Sequence, residues 1–323
     1  MTFIRSLAAI SLAWAALLPV PSPAQAYPAH AITFIVPYTP GTTADVLARL
    51  LGARISSAWK VPVIVDNRTG ASGIIGTAAA AKAAPDGYTF LFAATSYSAI
   101  AAIKPKLPYD PARSFAAVAL LGTSTMTLLV NQQFPATTVR EFVEQIKKQP
   151  GVLNYASPGA GSSQHLSMEL FKQETGVDIV HVPYKGTAGA LNDIIAGHVQ
   201  ASVVSLQSAT PFVRGGNVRM LAVMSRERAL TFPQVPTLLE LGYPNMLVDA
   251  WYGVMAPAGT PPALIARMNG EIDHLLTLPE MKQALGKQGV DPVGGAPGKL
   301  DALVRRELTL WSQVVARGKI VAD

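Results

Sequence analysis

The chain has 323 residues and no cysteine, which excludes disulfides, thiolate metal sites, cysteine nucleophiles and a lipid-modified N-terminal cysteine. Its 26 basic and 20 acidic side chains are scattered, with no Lys/Arg block and no interleaved aromatics. That distribution argues against nucleic-acid binding and mildly favours small anions.

Residues 1–26 read as a cleavable secretory signal. Arg5 supplies the positive start, residues 7–20 the apolar stretch, and Ala24-Gln25-Ala26 a small-x-small cleavage site before Tyr27. An N-terminal membrane anchor is the alternative, but the run is shorter than the ~20 residues a spanning helix needs, and prolines at 19, 21 and 23 punctuate its end. No twin arginine is present, so the general secretory route and a periplasmic location are expected.

From Ile32 onward, apolar strand runs alternate with amphipathic helices, the pattern of a largely parallel α/β fold. Ile32–Val36 is a buried-strand run, Pro37-Tyr38-Thr39-Pro40-Gly41-Thr42-Thr43 a loop, and Asp45 opens a helix with Leu47, Leu51, Ile55 and Ala58 at helical spacing. Further strands are expected at 61–65, 88–92, 126–130, 153–156, 179–182, Ala201–Ser205 and 220–224. Several are apolar without alternation, as strands covered on both faces are. Thr138 and Glu141 form a capping box before Val139, Phe142, Val143 and Ile146. Leu191, Ile194 and Ile195 make a stripe that stops at Gly197, and Thr260-Pro261 start a long helix carrying Ile265, Met268, Ile272 and Leu275.

Roughly three hundred residues after the leader exceed one comfortable core, so two domains are expected. No Gly/Ser or charged linker separates them, which makes the connections strands, with a crossing near 121–127 and a return near 248–253. The expected division is 27–124 plus 250–323 as a discontinuous first domain, with 125–249 inserted as the second. A small-ligand cleft lies between such domains.

The segment Asn154-Tyr155-Ala156-Ser157-Pro158-Gly159-Ala160-Gly161-Ser162-Ser163 is a strand, a small-residue loop and a helix start, repeating the arrangement at 32–45. Helix starts offer unpaired N–H groups and the positive end of the helix dipole, so both loops are candidate anion cradles. Singly, each also reads as an ordinary βα turn.

Taken in order, several segments resemble the periplasmic substrate-binding proteins of tripartite tricarboxylate transporters, the Bug family. They are Pro37-Tyr38 with Pro40-Gly41, Asp45 and Ala48-Arg49; Asp66-Asn67-Arg68 with Gly70; Ala84-Pro85-Asp86-Gly87-Tyr88-Thr89; and Leu107-Pro108-Tyr109-Asp110-Pro111. Asn154-Tyr155, Ser163-Gln164-His165-Leu166, Val182-Pro183-Tyr184-Lys185-Gly186 and Ala256-Pro257-Ala258-Gly259-Thr260-Pro261 complete the set. The resemblance covers essentially the whole chain after the leader. It implies a type II-like, two-domain periplasmic binding protein closing on its ligand, without enzymatic activity. It further implies carboxylates held by backbone amides, hydroxyls and water, and delivery to a permease of one large and one small membrane subunit. The chain departs from the family pattern at Thr42 (usually Gly), Ala44 (often Thr), Thr69 (usually Pro), Ser72 (often Gly) and Val204-Ser205 (often Asp-Asn). These positions bear on which ligand is taken.

The candidate ligand-binding residues are Tyr38, Gly41, Thr42, Thr43, Ser72, Ser96, Ser162, Ser163 and Ser205. For the threonines and serines at helix starts the competing role is capping; for Tyr38 it is packing. Lys185 and Arg68 are candidate carboxylate partners whose competing role is surface pairing. His30, His181, His198 and His274 show no ligand spacing, so no metal site and no cofactor are expected. A monomer is expected. Two other readings stand beside the transport receptor: a secreted hydrolase using Ser163 and His165, and a receptor presenting its ligand to a membrane sensor kinase. The first lacks a G-x-S-x-G elbow, and side chains two apart on a helix diverge.

Overall fold

The computed structural model describes residues 27–104, 106–184 and 186–320. The expected leader and Lys185 therefore lie outside the described residues. The chain runs β1 (Ile32–Val36), α1 (Thr43–Trp59), β2 (Val63–Asn67), a short 3-10 turn (Ala71–Gly73), α2 (Ile74–Ala81), β3 (Thr89–Ala94), α3 (Ser96–Ile103) and β4 (Phe115–Asn131). It continues α4 (Val139–Lys148), β5 (Asn154–Ser157), α5 (Ser163–Thr175), β6 (Val180–Pro183), α6 (Thr187–Ala196), β7 (Ala201–Ser205), α7 (Leu206–Arg214) and β8 (Val218–Val223). It closes with β9 (Asp249–Pro257), α8 (Pro262–Thr277), α9 (Pro279–Lys287), β10 (Asp291–Pro292) and α10 (Gly298–Gly318).

The strands follow the order β2-β1-β3-β9-β4-β7-β5-β6, with β8 and β10 also paired to β4. Two-residue alternation assigns each strand's side chains to opposite layers. Ile32, Phe34 and Val36 of β1 and Phe90 and Phe92 of β3 pack under α1 and α8, whereas Ile35, Leu91 and Ala93 join Leu300 and Val304 of α10 on the other face. Farther along, Leu128 and Val130 of β4 pack with Phe142, Ile146, Leu166 and Phe171, while Leu129 faces Leu191 and Ile194. Strands buried on both faces read as continuous apolar runs, which is why periodicity finds them only as short segments.

Strand β4 joins the two halves of the sheet. Its first part pairs antiparallel with β9 from Phe115↔Pro257 to Thr125↔Asp249, and its last part is flanked by β7 and β8. It is 17 residues long, against an expectation of 126–130. The missed part, Phe115-Ala-Ala-Val-Ala-Leu-Leu-Gly-Thr-Ser-Thr, is rich in Ala and Gly, which have weak strand preference. Bulges interrupt its pairing between Ala117 and Ala119 and between Leu120 and Gly122. Helix α10 spans the junction. Leu300 and Val304 belong to the first-half core, whereas Trp311 and Val314 are buried in the second-half core, where Gln173 Nε2 donates to the Val314 carbonyl at 2.8 Å.

Several sequence expectations coincide with the structure. β1 and β7 have the expected bounds, the Thr138/Glu141 capping box is fully formed, and α6 ends on left-handed Gly197. Ala58 is exposed rather than part of the buried stripe of α1.

Candidate functional site

Strand directions bring the loops that follow β1, β3, β5, β6 and β7 together. β1, β2 and β3 are mutually parallel and antiparallel to β9, as β4 is, so their C-terminal ends point along β4 toward the second half. β5, β6 and β7 are parallel to one another and antiparallel to β4, so their C-terminal ends point back. The end of β3, Ala94, is level with Tyr252 and through it with Gly122 of β4; the end of β7, Ser205, is level with Met126. Gly122 and Met126 are four residues apart, about 13 Å of extended chain. Open α/β sheets bind ligands beyond the carboxyl ends of their strands, and here two such edges face each other across that gap.

On the first wall, the 37–43 loop is held from beneath. Asp45 Oδ2 accepts from Gly41 N (2.9 Å) and Arg49 Nε (3.1 Å), and its Oδ1 accepts from Asn67 Nδ2 (2.8 Å). Asn67 Nδ2 also donates to the Tyr38 carbonyl, and Arg49 Nη2 to Asn67 Oδ1. Burial alone would raise the Asp45 carboxyl; the bonds from Arg49, Gly41 and Asn67 outweigh it and hold the group below the usual carboxylate range. Asp45 is thus an ionised anchor for the loop.

Tyr38 Oη accepts from Ala94 N and from Ser96 Oγ, each at 3.0 Å. Burial pushes this phenol up to about 12, so it stays neutral. With two acceptor positions filled, its remaining O–H is free to donate to an anion. Thr42 precedes α1 without a side-chain cap, its hydroxyl donating instead to the Thr39 carbonyl at 2.9 Å, so the first N–H groups of a 17-residue helix are left without a side-chain partner. Burial raises the Tyr252 phenol above its ordinary value, and the nearby Thr43 side chain partly offsets that rise. Arg68 pairs with Asp66 at 2.7 Å on the exposed surface. Ser72 is exposed and left-handed (φ 56°, ψ 31°), following Ala71 at φ 47°. Gly is comfortable in that region and Ser is not.

On the second wall, the 157–162 loop is wound on itself. Ser157 Oγ donates to the Gly159 carbonyl (3.0 Å), Ser162 Oγ donates to the same carbonyl (2.8 Å) and accepts from His165 N (3.2 Å). Gly161 N donates to His165 Nδ1 at 3.0 Å. Gly161 has φ 77°, and a Cβ there would come within 2.7 Å of Ile103 of α3, so this loop packs against the first half and requires glycine. His165 and His181 stack at 3.9 Å between ring centroids; burial lowers both below the ordinary imidazole range, His181 to about 3. Ser163, half-buried at the first position of α5, donates to Gln164 Oε1 (3.1 Å) rather than to His165. Ser205 caps α7 and lies 2.9 Å from Ser208 Oγ.

Tyr38 and Ser96 are therefore bonded to each other, Thr43 starts α1 near Tyr252, and Gly41, Thr42, Ser162, Ser163 and Ser205 lie in loops or helix starts on the two facing edges. Sequence reading missed Thr95 and Trp251: Trp251 N donates to Thr95 Oγ1 at 2.8 Å, so the threonine extends the β3–β9 ladder by a side chain where the β3 backbone leaves it. Only the strand register reveals that pairing. No cluster of three or more metal-ligating side chains occurs among the described residues, and no described helix is long and apolar enough to cross a membrane. A surface cavity of about 530 Å³, lined by Val218, Met220 and Val235 among others, is at the far end of β4 from these loops.

Two α/β halves with facing loop edges are the architecture of a solute-binding protein. Residues 47–319 match the tripartite tricarboxylate transporter family receptor, and the chain belongs to that family. It is 36% identical to protein BugT of Bordetella pertussis over 98% of both chains. Among solved structures it is similar to R. palustris Rpa4515 with adipate (34% identity, TM-score 0.78, covering 91% of this chain and 99% of that one). It is also similar to MatC of Rhodopseudomonas palustris with bound malate (33% identity, TM-score 0.75, covering 90% and 100%). The family is one of solute-binding receptors rather than enzymes.

Proposed function

We propose that this chain captures a small organic carboxylate between the two loop edges and delivers it to a two-subunit membrane permease. One observation carries the reading: the ends of β3 and β7 face each other about four residues apart along β4, with helix starts and hydroxyls on both sides. N–H groups and hydroxyls at helix starts hold carboxylates without a matching cation. The adipate- and malate-bound relatives support the same ligand class. Under this reading residues 27–124 with 250–323 form one domain and 125–249 the other, with β4 and β9 as the crossing strands and α10 a strut reaching over both. Residues 1–26 are removed after Ala26 during export, and closure rotates one domain toward the other.

The test is a thermal-shift screen of the mature protein against a carboxylate panel that includes adipate and malate. A ligand at ~100 times its dissociation constant adds ~2.7 kcal/mol, a rise of several degrees. A panel with no response, alongside binding of an uncharged solute, would overturn the carboxylate assignment.

A further inference from the structure

We propose that Glu307, on the bridging helix α10, positions the β3–α3 ligand loop through a hydrogen-bond relay formed by Trp251 and Thr95. This rests on reading that loop as one wall of the ligand site.

The relay is continuous. Glu307 Oε2 accepts from the Trp251 indole Nε1 at 2.7 Å, inside the protein. The backbone N–H of the same Trp251 donates to Thr95 Oγ1 at 2.8 Å. Thr95 is flanked by Ala94, whose N–H donates to Tyr38 Oη, and by Ser96, whose Oγ donates to the same oxygen. A carboxyl on a helix packed into both halves is thereby connected, through one tryptophan, to the loop that orients the Tyr38 hydroxyl.

Glu307 is 3% exposed, and the groups around it make its charge state matter. From β9 it meets Trp251; from α3, Ser98; from its own helix, Trp311 and the charged Arg306. Burial pushes the carboxyl up to about 7, opposed by the Trp251 bond and more weakly by Ser98, Arg306 and Trp311. Ser98 Oγ and Trp311 Nε1 are buried without a hydrogen-bond partner, and both favour the ionised form of Glu307. Ionisation strengthens the Trp251 bond, because donors to a carboxylate bind about twice as strongly as donors to a neutral oxygen. It also draws in the two idle donors. Tightening at the indole fixes Trp251, and its backbone N–H then holds Thr95 in place.

The experiment is hydrogen exchange with mass spectrometry on the ligand-free mature protein from about pH 6 to about pH 8, corrected for intrinsic exchange rates. In the wild type, peptides covering Ala94 to Tyr97 should gain about tenfold protection as pH rises, while peptides covering Ser157 to Ser162 stay level. Glu307→Gln should abolish the pH dependence at 94–97. Thr95→Val should lower protection there at every pH, and Thr95→Ser, which keeps the hydroxyl, should restore it. An unchanged pH profile in Glu307→Gln, or Thr95→Val indistinguishable from wild type, overturns the relay. Equal loss of protection across the whole molecule in Glu307→Gln, with Thr95→Val silent at 94–97, also overturns it. Should Glu307→Gln fail to fold, the Thr95 pair decides alone. Adipate affinity measured on the same proteins separates the two readings: failure of every protein to bind adipate counts against that ligand, whereas the exchange data stand without one.

Discussion

Asp45 Oδ1 and Asn67 Nδ2 are 2.8 Å apart, and that contact ties the start of α1 to the end of β2 beneath the 37–43 loop. The same amide nitrogen reaches the Tyr38 carbonyl at 3.1 Å. Asn67→Ala should therefore cost ~1–3 kcal/mol of stability, since it strips two acceptors and frees Arg49 from one partner. Urea unfolding measures it. The Asp45 carboxyl is held below its usual range, so its contribution is full above the unfolded value and fades as pH falls through the folded one. Asp45→Asn should accordingly be costly at neutral pH and nearly neutral in strong acid.

Ser162 and Ser163 should separate cleanly. Ser162→Ala removes the acceptor for His165 N and should cost ~1 kcal/mol of stability. Among the described residues the Ser163 hydroxyl bonds the adjacent Gln164 side chain alone, so Ser163→Ala should leave stability within ~0.5 kcal/mol while weakening carboxylate binding by ~1–2 kcal/mol. Calorimetry and denaturation on both variants rank them. Unchanged affinity in Ser163→Ala removes that residue from the site.

Glu307 gives a stability signature opposite in sign to Asp45. Its folded value of about 7 is above the ordinary 4.5, so the native state binds the proton more tightly. Stability from this group is fully present below the unfolded value and falls as pH rises to about 7, by roughly 3 kcal/mol in all. Glu307→Gln should flatten that decline in denaturation curves taken between those limits.

Ser72→Gly should stabilise the protein or leave it unchanged. A left-handed non-glycine residue costs ~1–2 kcal/mol, offset by ~0.4–1 kcal/mol for the freer unfolded chain. A loss of more than ~1 kcal/mol would mean that the Ser72 hydroxyl makes a bond that outweighs the backbone strain. Thermal melts of the two proteins decide.

Much of the local structure is legible in the chain. Val139, Phe142, Val143 and Ile146 behind Thr138 give α4 and its cap, and the Ser162/Ser163 loop ends where α5 begins, because caps and stripes are set by residues within one helical turn. The family segments are legible for the same reason: each is a short run of loop chemistry.

The amino-acid sequence by itself determined the alternating α/β order, the helix starts that hold the loops, and the family. Only the tertiary structure decided that β4 runs from Phe115 to Asn131 through both halves, that Trp251 bonds Thr95, and that α10 carries Glu307 to the junction. Thr95 and Trp251 are 156 positions apart, and nothing in the residues near either one encodes their meeting. Local propensity acts over a few residues, whereas strand register and the burial of a lone carboxyl are set by how distant segments pack once the whole chain has closed.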